Sequence, residues 1–354
     1  MGLNIVQKLI DIVRGKHLQH DYGYMRETVN YISSQIDFDM NVAGRILKKH
    51  KFPYFTLKRD KAFLKSYLKT IDATNFPKAS GQLRELQIRL LNLAKEIISD
   101  MESQNFHPFM IGGTLLGAVR HGGYIHWDDD IDFDMMRDEY DKFWKYIKTK
   151  YLYKETGYVS NYDVFLADMD EMIKQNPNKI IFARKSTCTS AYLGTSLEDC
   201  IVLDFFPRET LAPNLTEEDY LRYRKSKQKE FKSLKNYAQR FEFYDREFQN
   251  KNIYSKEGNL IAKCWGSYGF VHFNRTVAVD KESMFPLVRL KYEDTEFYAP
   301  KDYNKFLIKT FKKNYMDIPI NLNLFRHMRV FDGFLRKQNR KYYIEIEDIL
   351  GGKQ

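Results

Sequence analysis

The chain has 354 residues, 43% hydrophobic and 15% aromatic, which supplies a substantial core for one large or two medium domains. Three cysteines, Cys188, Cys200 and Cys264, are scattered without paired metal spacing, which argues against a disulfide framework and suits a reducing compartment. A net charge of +10 fits anionic substrates, an anionic membrane face or nucleic acid equally; no apolar run reaches membrane-span length and no signal peptide opens the chain.

Residues 1 to 78 read as a helical N-terminal region. Leu3, Val6, Ile10 and Val13 fall at helical spacing beside Lys8, Arg14 and Lys16. A core or oligomer-contact helix is preferred there over a membrane-surface helix. Asp37–Phe55 and Arg59–Ile71 read as short basic helices, and Asn75–Gly81 as a linker. A long helix starts near Gln82, with Leu83, Leu86, Leu90, Leu93, Ile97 and Met101 at steps of three and four. Phe109-Met110-Ile111 is a short strand. Gly112-Gly113-Thr114 then opens a helix, Leu115 to Arg120, which a Gly-Gly break ends.

Next come five aspartates within seven residues, Asp128 to Asp134. Along a strand, side chains alternate. Asp130, Asp132 and Asp134 therefore share one face, and Ile131, Phe133 and Met135 the other. The apolar face can bury; the acidic face needs a cation to neutralise it. Mg²⁺ or Mn²⁺ with oxygen ligands suits such carboxylates and commonly orients phosphates. A solvated acidic loop is less consistent with the alternating apolar partners and Trp127. An EF-hand would use Asp128, Asp130, Asp132 and Glu139, but its sixth position should be glycine and is Phe133. The preceding helix start, with Gly112, Gly113 and Thr114, offers unhindered backbone N–H groups to a phosphate oxygen.

Further along, Asp138 is expected to cap a helix whose inward stripe is Tyr140, Phe143, Trp144 and Ile147. Lys179–Lys185 reads as a strand ending in Arg184 and Lys185, candidates for a phosphate contact or an exposed strand end. Cys200–Phe206 is a strong strand interrupted by Asp204, an acid that must find a partner if buried. Arg222–Arg240 reads as one basic helix with a solvated face, alternatively facing an anionic membrane or a lipid-linked diphosphate glycan. Lys281–Pro300 reads as a strand pair, and Asp302 caps a helix with Tyr303, Phe306 and Leu307 inward.

Strand, Gly-Gly, helix and then Asp-x-Asp resembles the nucleotidyltransferase-fold signature. The run GGTLLGAVRHGGYIHWDDDIDF is similar to the LicD family of phosphotransferases, with fukutin and fukutin-related protein as distant relatives. The resemblance extends upstream to Leu83-Arg84-Glu85-Leu86-Gln87 and downstream to Val202-Leu203-Asp204-Phe205-Phe206-Pro207. It resumes weakly at Phe285-Pro286-Leu287 and Pro300-Lys301-Asp302-Tyr303. Two departures stand out: His126 replaces a proline before the tryptophan, and Phe311–Tyr315 replaces a Tyr-Gly-Asp-Tyr sequence.

The resemblance implies an α/β fold: a small mixed nucleotidyltransferase-like sheet flanked by helices, with helical additions at both ends. The expected division is a helical N-terminal region 1–78, a nucleotidyltransferase-like catalytic core 79–210 and a C-terminal helical or mixed region 211–354 completing the substrate site. The implied reaction moves a phospho-alcohol such as phosphocholine from a CDP-alcohol donor, CDP-choline or similar, to a glycan or lipid-linked glycan. CMP is released. Asp130, Asp132 and Asp204 would hold Mg²⁺ or Mn²⁺. Gly112, Gly113, Thr114 and Arg120 would contact the donor, with Arg184 or Lys185 beside them. Asp204 or Asp128 would accept the sugar proton, with His121 a weaker candidate. The family's animal members are membrane-anchored. Lacking such an anchor, this sequence is expected to be a cytoplasmic bacterial enzyme, with at most peripheral contact at the anionic inner membrane face and no nucleic-acid partner. Two rivals are an NMP-adding nucleotidyltransferase, which consumes an NTP, and a non-catalytic polyanion binder with steep salt dependence and no need of Asp130.

Overall fold

The periodic leucines after residue 82 form α1 (Gly81–Ser103), with Leu83, Leu90, Leu93, Ile97 and Met101 buried. The computed structural model describes residues 78–79, 81–126, 128–155, 162–184, 188–235, 237–263 and 278–317. The expectations for residues 1–77, for Trp127, Lys185 and Cys264, and for the tail beyond 317 lie outside these.

The first half of the described chain continues with β1 (Phe109–Met110), α2 (Gly112–His121), β2 (Asp132–Met136), α3 (Arg137–Lys150), β3 (Leu152–Glu155), α4 (Tyr162–Gln175), β4 (Ile181–Arg184), β5 (Thr189–Leu193) and β6 (Ile201–Thr210). The second half adds α5 (Glu217–Ser233), α6 (Tyr237–Phe248), β7 (Leu260–Lys263), β8 (Ala278–Asp280), α7 (Lys281–Met284), β9 (Val288–Tyr292), β10 (Thr295–Ala299) and α8 (Tyr303–Phe311). The fold is α/β, with one mixed sheet flanked by helices. Its strand order is β3-β4-β5-β6-β2-β1-β10-β9, and β7 and β8 continue from β6.

With ten strands among the described residues, the sheet is larger than the small one expected. The reason is that residues beyond 210 contribute strands as well as helices. β10 pairs in parallel with β1, and β7 pairs antiparallel with the end of β6. The two-residue β1 is thereby covered on both edges, by β2 and β10.

The face carrying Phe133 and Phe205 is packed by α3. Phe143 lies 5.4 Å from the Phe205 ring and 5.7 Å from Phe182, each edge-on. Asp100 of α1 joins the same layer, accepting from Tyr146, Tyr151 and Lys150.

Three boundaries differ from expectation. β2 begins at Asp132, leaving Asp130 in the preceding loop. The residue capping α3 is Met136; Asp138 sits in the first turn, where its charge still complements the helix dipole. The basic run forms two helices. α5 ends at Ser233, the capping Leu234 turns to an extended conformation, and Phe231 packs against Phe243 and Tyr244 of α6. Among the described residues, no helix is long and apolar enough to cross a membrane.

Candidate functional site

The alternation of β2 decides the site. β2 and β6 are parallel, and their register sets Asp132 opposite Asp204, Phe133 opposite Phe205 and Asp134 opposite Phe206. Neighbouring strands lie about 4.8 Å apart, so the two aspartates are adjacent on one face. Phe133 and Phe205 stack on the other face, 5.9 Å apart. Asp132 and Asp204 are both partly exposed. β5 brings Ser190 into register with Asp204, and the Ser190 hydroxyl donates to Asp204 Oδ1.

Asp134, two residues further along this acidic face, has a different fate. It is fully buried and forms an ion pair with Arg208, itself 2% exposed. The cation that neutralises it is a guanidinium. Arg208 in turn stacks 4.8 Å from the Phe306 ring of α8.

The loop before β2 supplies more acid. Asp128, Asp129 and Asp130 place carboxylate oxygens within 4.8 Å of one another, and all three are partly exposed. Asp129 was not singled out in the sequence, because it breaks the alternating pattern; only the loop's curvature brings it in. The expected trio of Asp130, Asp132 and Asp204 is thus spread between loop and sheet. An all-oxygen donor set of this kind fits a hard divalent cation such as Mg²⁺ or Mn²⁺.

The N-terminus of α2 meets this loop. A side chain at Gly113 would put its Cβ 2.6 Å from Asp128 Oδ2, so the bare glycine face accommodates Asp128 itself. The partly positive helix start favours that carboxylate. Beside Gly112, whose φ is +53°, the same test meets nothing within 4 Å, and this side is open to a phosphate oxygen. Thr114 is buried, and its hydroxyl accepts from the Asp132 backbone N–H at 2.9 Å. Its role in the structure is therefore to anchor Asp132.

Residues 105–185 match the family described as LicD/FKTN/FKRP, nucleotidyltransferase domain. The chain carries a LicD-family domain. It is similar to the lipopolysaccharide cholinephosphotransferase LicD of Haemophilus influenzae, 48% identical over 61 residues. That match covers 17% of this chain and 23% of the relative, so the chain spans about a quarter of the length of the curated relative it matches. The LicD-family segment includes α2 and the acidic loop; Asp204 lies beyond it and joins the site through the sheet.

The remaining candidates of the LicD-family domain are placed as follows. Arg120 is buried. It donates to the Tyr315 carbonyl at 2.9 Å and to His121 Nε2 at 3.0 Å. Burial pulls its pKa down to about 10, opposed by the Asp128 carboxylate, so it stays charged at neutral pH. His121 is thereby engaged by Arg120, and its ring packs edge-on to His126 at 5.1 Å. Arg184 lies on the α3 face, with its guanidinium near Asp141, Tyr140 and Trp144. Its register partner Thr189 pairs with Phe205, which faces away from the carboxylates. The structure does not bring Arg184 to Asp132 and Asp204.

Two residues were missed in the sequence. Lys263 is the register partner of Arg208 on β7, and its Nζ lies 5.4 Å from the Phe206 ring. That places a cation on the carboxylate face. Nothing local in Leu-Ile-Ala-Lys signals this, since only strand pairing puts it there. Tyr124 is buried close to the loop; burial raises its pKa well above the usual tyrosine range, and Asp128, Asp130 and Glu293 add to the rise. It is a neutral hydroxyl among acids.

Arg120→Lys keeps the charge but loses the planar fork. The expected outcome is a stability loss of about 1–2 kcal/mol in urea unfolding. An unchanged urea midpoint would mean that its bonds to Tyr315 and His121 do not support the fold.

Proposed function

We propose that this protein is a metal-dependent phosphotransferase. It moves a phospho-alcohol, phosphocholine being the first choice, from a CDP-linked donor to a sugar hydroxyl on a surface glycan or its lipid-linked precursor. The observation that carries this reading is the adjacency of Asp132 and Asp204 beside the acidic loop, at the open N-terminus of α2. The similarity to a lipopolysaccharide cholinephosphotransferase of Haemophilus influenzae supports phosphocholine and lipopolysaccharide as the donor group and acceptor class.

The division of labour follows from phosphoryl-transfer chemistry. A Mg²⁺ or Mn²⁺ ion held by Asp130, Asp132 and Asp204 would neutralise the diphosphate and the leaving CMP. Asp128 and Asp129 shape the loop side of that site. Gly112 offers its open flank to a phosphate oxygen. Lys263 is the proposed second cation for the donor phosphates. The sugar hydroxyl forms the new P–O bond, the P–O bond to CMP breaks, and Asp128 or Asp204 takes the hydroxyl proton. The working site is the inner face of a bacterial membrane, where the net charge of +10 favours anionic lipid-linked acceptors.

The test is incubation of the purified protein with Mg²⁺ or Mn²⁺, a glycan acceptor and CDP-choline, CDP-ribitol or CDP-glycerol, with release of CMP as the readout. One CDP-alcohol should be used in preference, and EDTA should stop the reaction. Pyrophosphate released from an NTP, with no CMP from any CDP-alcohol, would establish the nucleotidyltransferase alternative. Metal-independent binding of polyanions without turnover would establish a binding protein.

A further inference from the structure

The acidic loop is held from outside by a chain of polar contacts that ends far away in sequence. Gln87 of α1 is 1% exposed. Its amide nitrogen donates to the Asp128 carbonyl at 2.9 Å and makes a longer contact, 3.5 Å, with the His126 carbonyl. Its amide oxygen accepts from Arg84 Nη1 at 3.2 Å. An amide has one accepting end and one donating end. With the cation on the oxygen, the NH₂ group must face the loop.

Arg84 is itself fixed. Its Nη2 and Nη1 donate to the Glu293 carboxylate at 2.8 and 3.2 Å. Glu293 sits in the turn between β9 and β10 at a φ of +56°, unusual for a residue with a side chain. Its backbone N–H donates to Gly122 O at 2.9 Å, and its carboxylate accepts from Tyr124 N and from Lys78. At Gly123 a Cβ would come within 2.6 Å of Glu293 Oε1, so the Gly-Gly break admits this clamp only without a side chain.

We infer that Gln87 is a positioning residue for the acidic loop, held in its donating orientation by Arg84 and Glu293. This rests on the reading of the loop as part of a metal site. Asp128, Asp129 and Asp130 repel one another, and the loop precedes the ladder that starts at Asp132. Besides the Gln87 bonds, its backbone is tied by Asp128 N to Ile125 O and by Asp132 N to Thr114. Gln87 grips the loop at Asp128, the first of its three clustered carboxylates. Outer partners of this kind, which orient ligands without touching the ion, typically alter metal affinity 10- to 100-fold when lost.

The test uses Gln87→Met, which keeps the volume and removes the donor, and Glu293→Gln, which leaves Gln87 itself in place. In metal-free protein, amide hydrogen exchange at residues 128–132 should accelerate roughly 10-fold or more in Gln87→Met, with β6 amides unchanged. In the same variant the Mn²⁺ dissociation constant, read from the free-ion resonance, should rise roughly 10-fold. Glu293→Gln should shift both in the same direction by less. Combined with Arg84→Met, Gln87→Met should show less than additive loss. Exchange and Mn²⁺ affinity within twofold of wild type in both single variants overturn the inference. If wild type takes up no Mn²⁺, the metal reading fails by itself, and the exchange rates still decide whether Gln87 positions the loop.

Discussion

Asp204→Asn is expected to lower CMP release by on the order of 10²- to 10³-fold, the loss typical when one preorganised charge-stabilising group is removed from a reacting centre. Asp132→Asn should do the same. The two carboxylates stand opposite each other in the β2–β6 ladder, so each variant removes one of a facing pair. The substitution keeps the size of the side chain, and an asparagine oxygen can still accept from Ser190. The fold should therefore survive. Metal-free Asp204→Asn should melt at or above metal-free wild type, because one of two adjacent negative charges has gone. Mn²⁺ affinity should fall together with turnover. Turnover near wild type in either variant, or activity that persists with EDTA, would overturn the proposed metal role of these carboxylates.

The second large effect is on stability. Arg208→Met should destabilise the protein by about 3–5 kcal/mol, because it leaves Asp134 buried and without its cation. Asp134 is fully buried in β2, and a central strand cannot move it toward water without giving up the ladder. The double variant Asp134→Leu with Arg208→Met should recover most of the loss, since it replaces a buried ion pair with apolar groups that can pack near Phe306. Urea midpoints at constant slope measure both. A cost below about 1 kcal/mol for Arg208→Met would mean that the Asp134 carboxylate does not depend on the Arg208 guanidinium.

Local pattern was enough for several elements. The leucine spacing of α1, the Gly-Gly start of α2, the strand around Asp204 and the cap Asp302, whose side chain accepts from Lys305 N, are short-range features written in consecutive residues. The LicD-family motif was legible for the same reason: it sits in one unbroken run. Helix ends were less so. Asp138 has the chemistry of a cap, yet β2 runs directly into α3, and Met136 takes the position.

By itself, the sequence determined that an acidic strand with one apolar face follows a glycine-opened helix, and that a lone acid interrupts a second apolar strand. Period-two alternation and helix-start chemistry act over a few residues, so no fold is needed to read them. Only the tertiary structure decided which acids meet. It paired Asp132 with Asp204 and gave Asp134 to Arg208. It also curved Asp129 into the loop cluster, turned Arg184 to the far face and brought Lys263 to the near one. It joined Gln87, Arg84 and Glu293 across more than two hundred residues. The physical reason is that strand register and sheet order are set by packing of the whole core. A shift of one residue in any ladder would exchange the two faces and every partner on them.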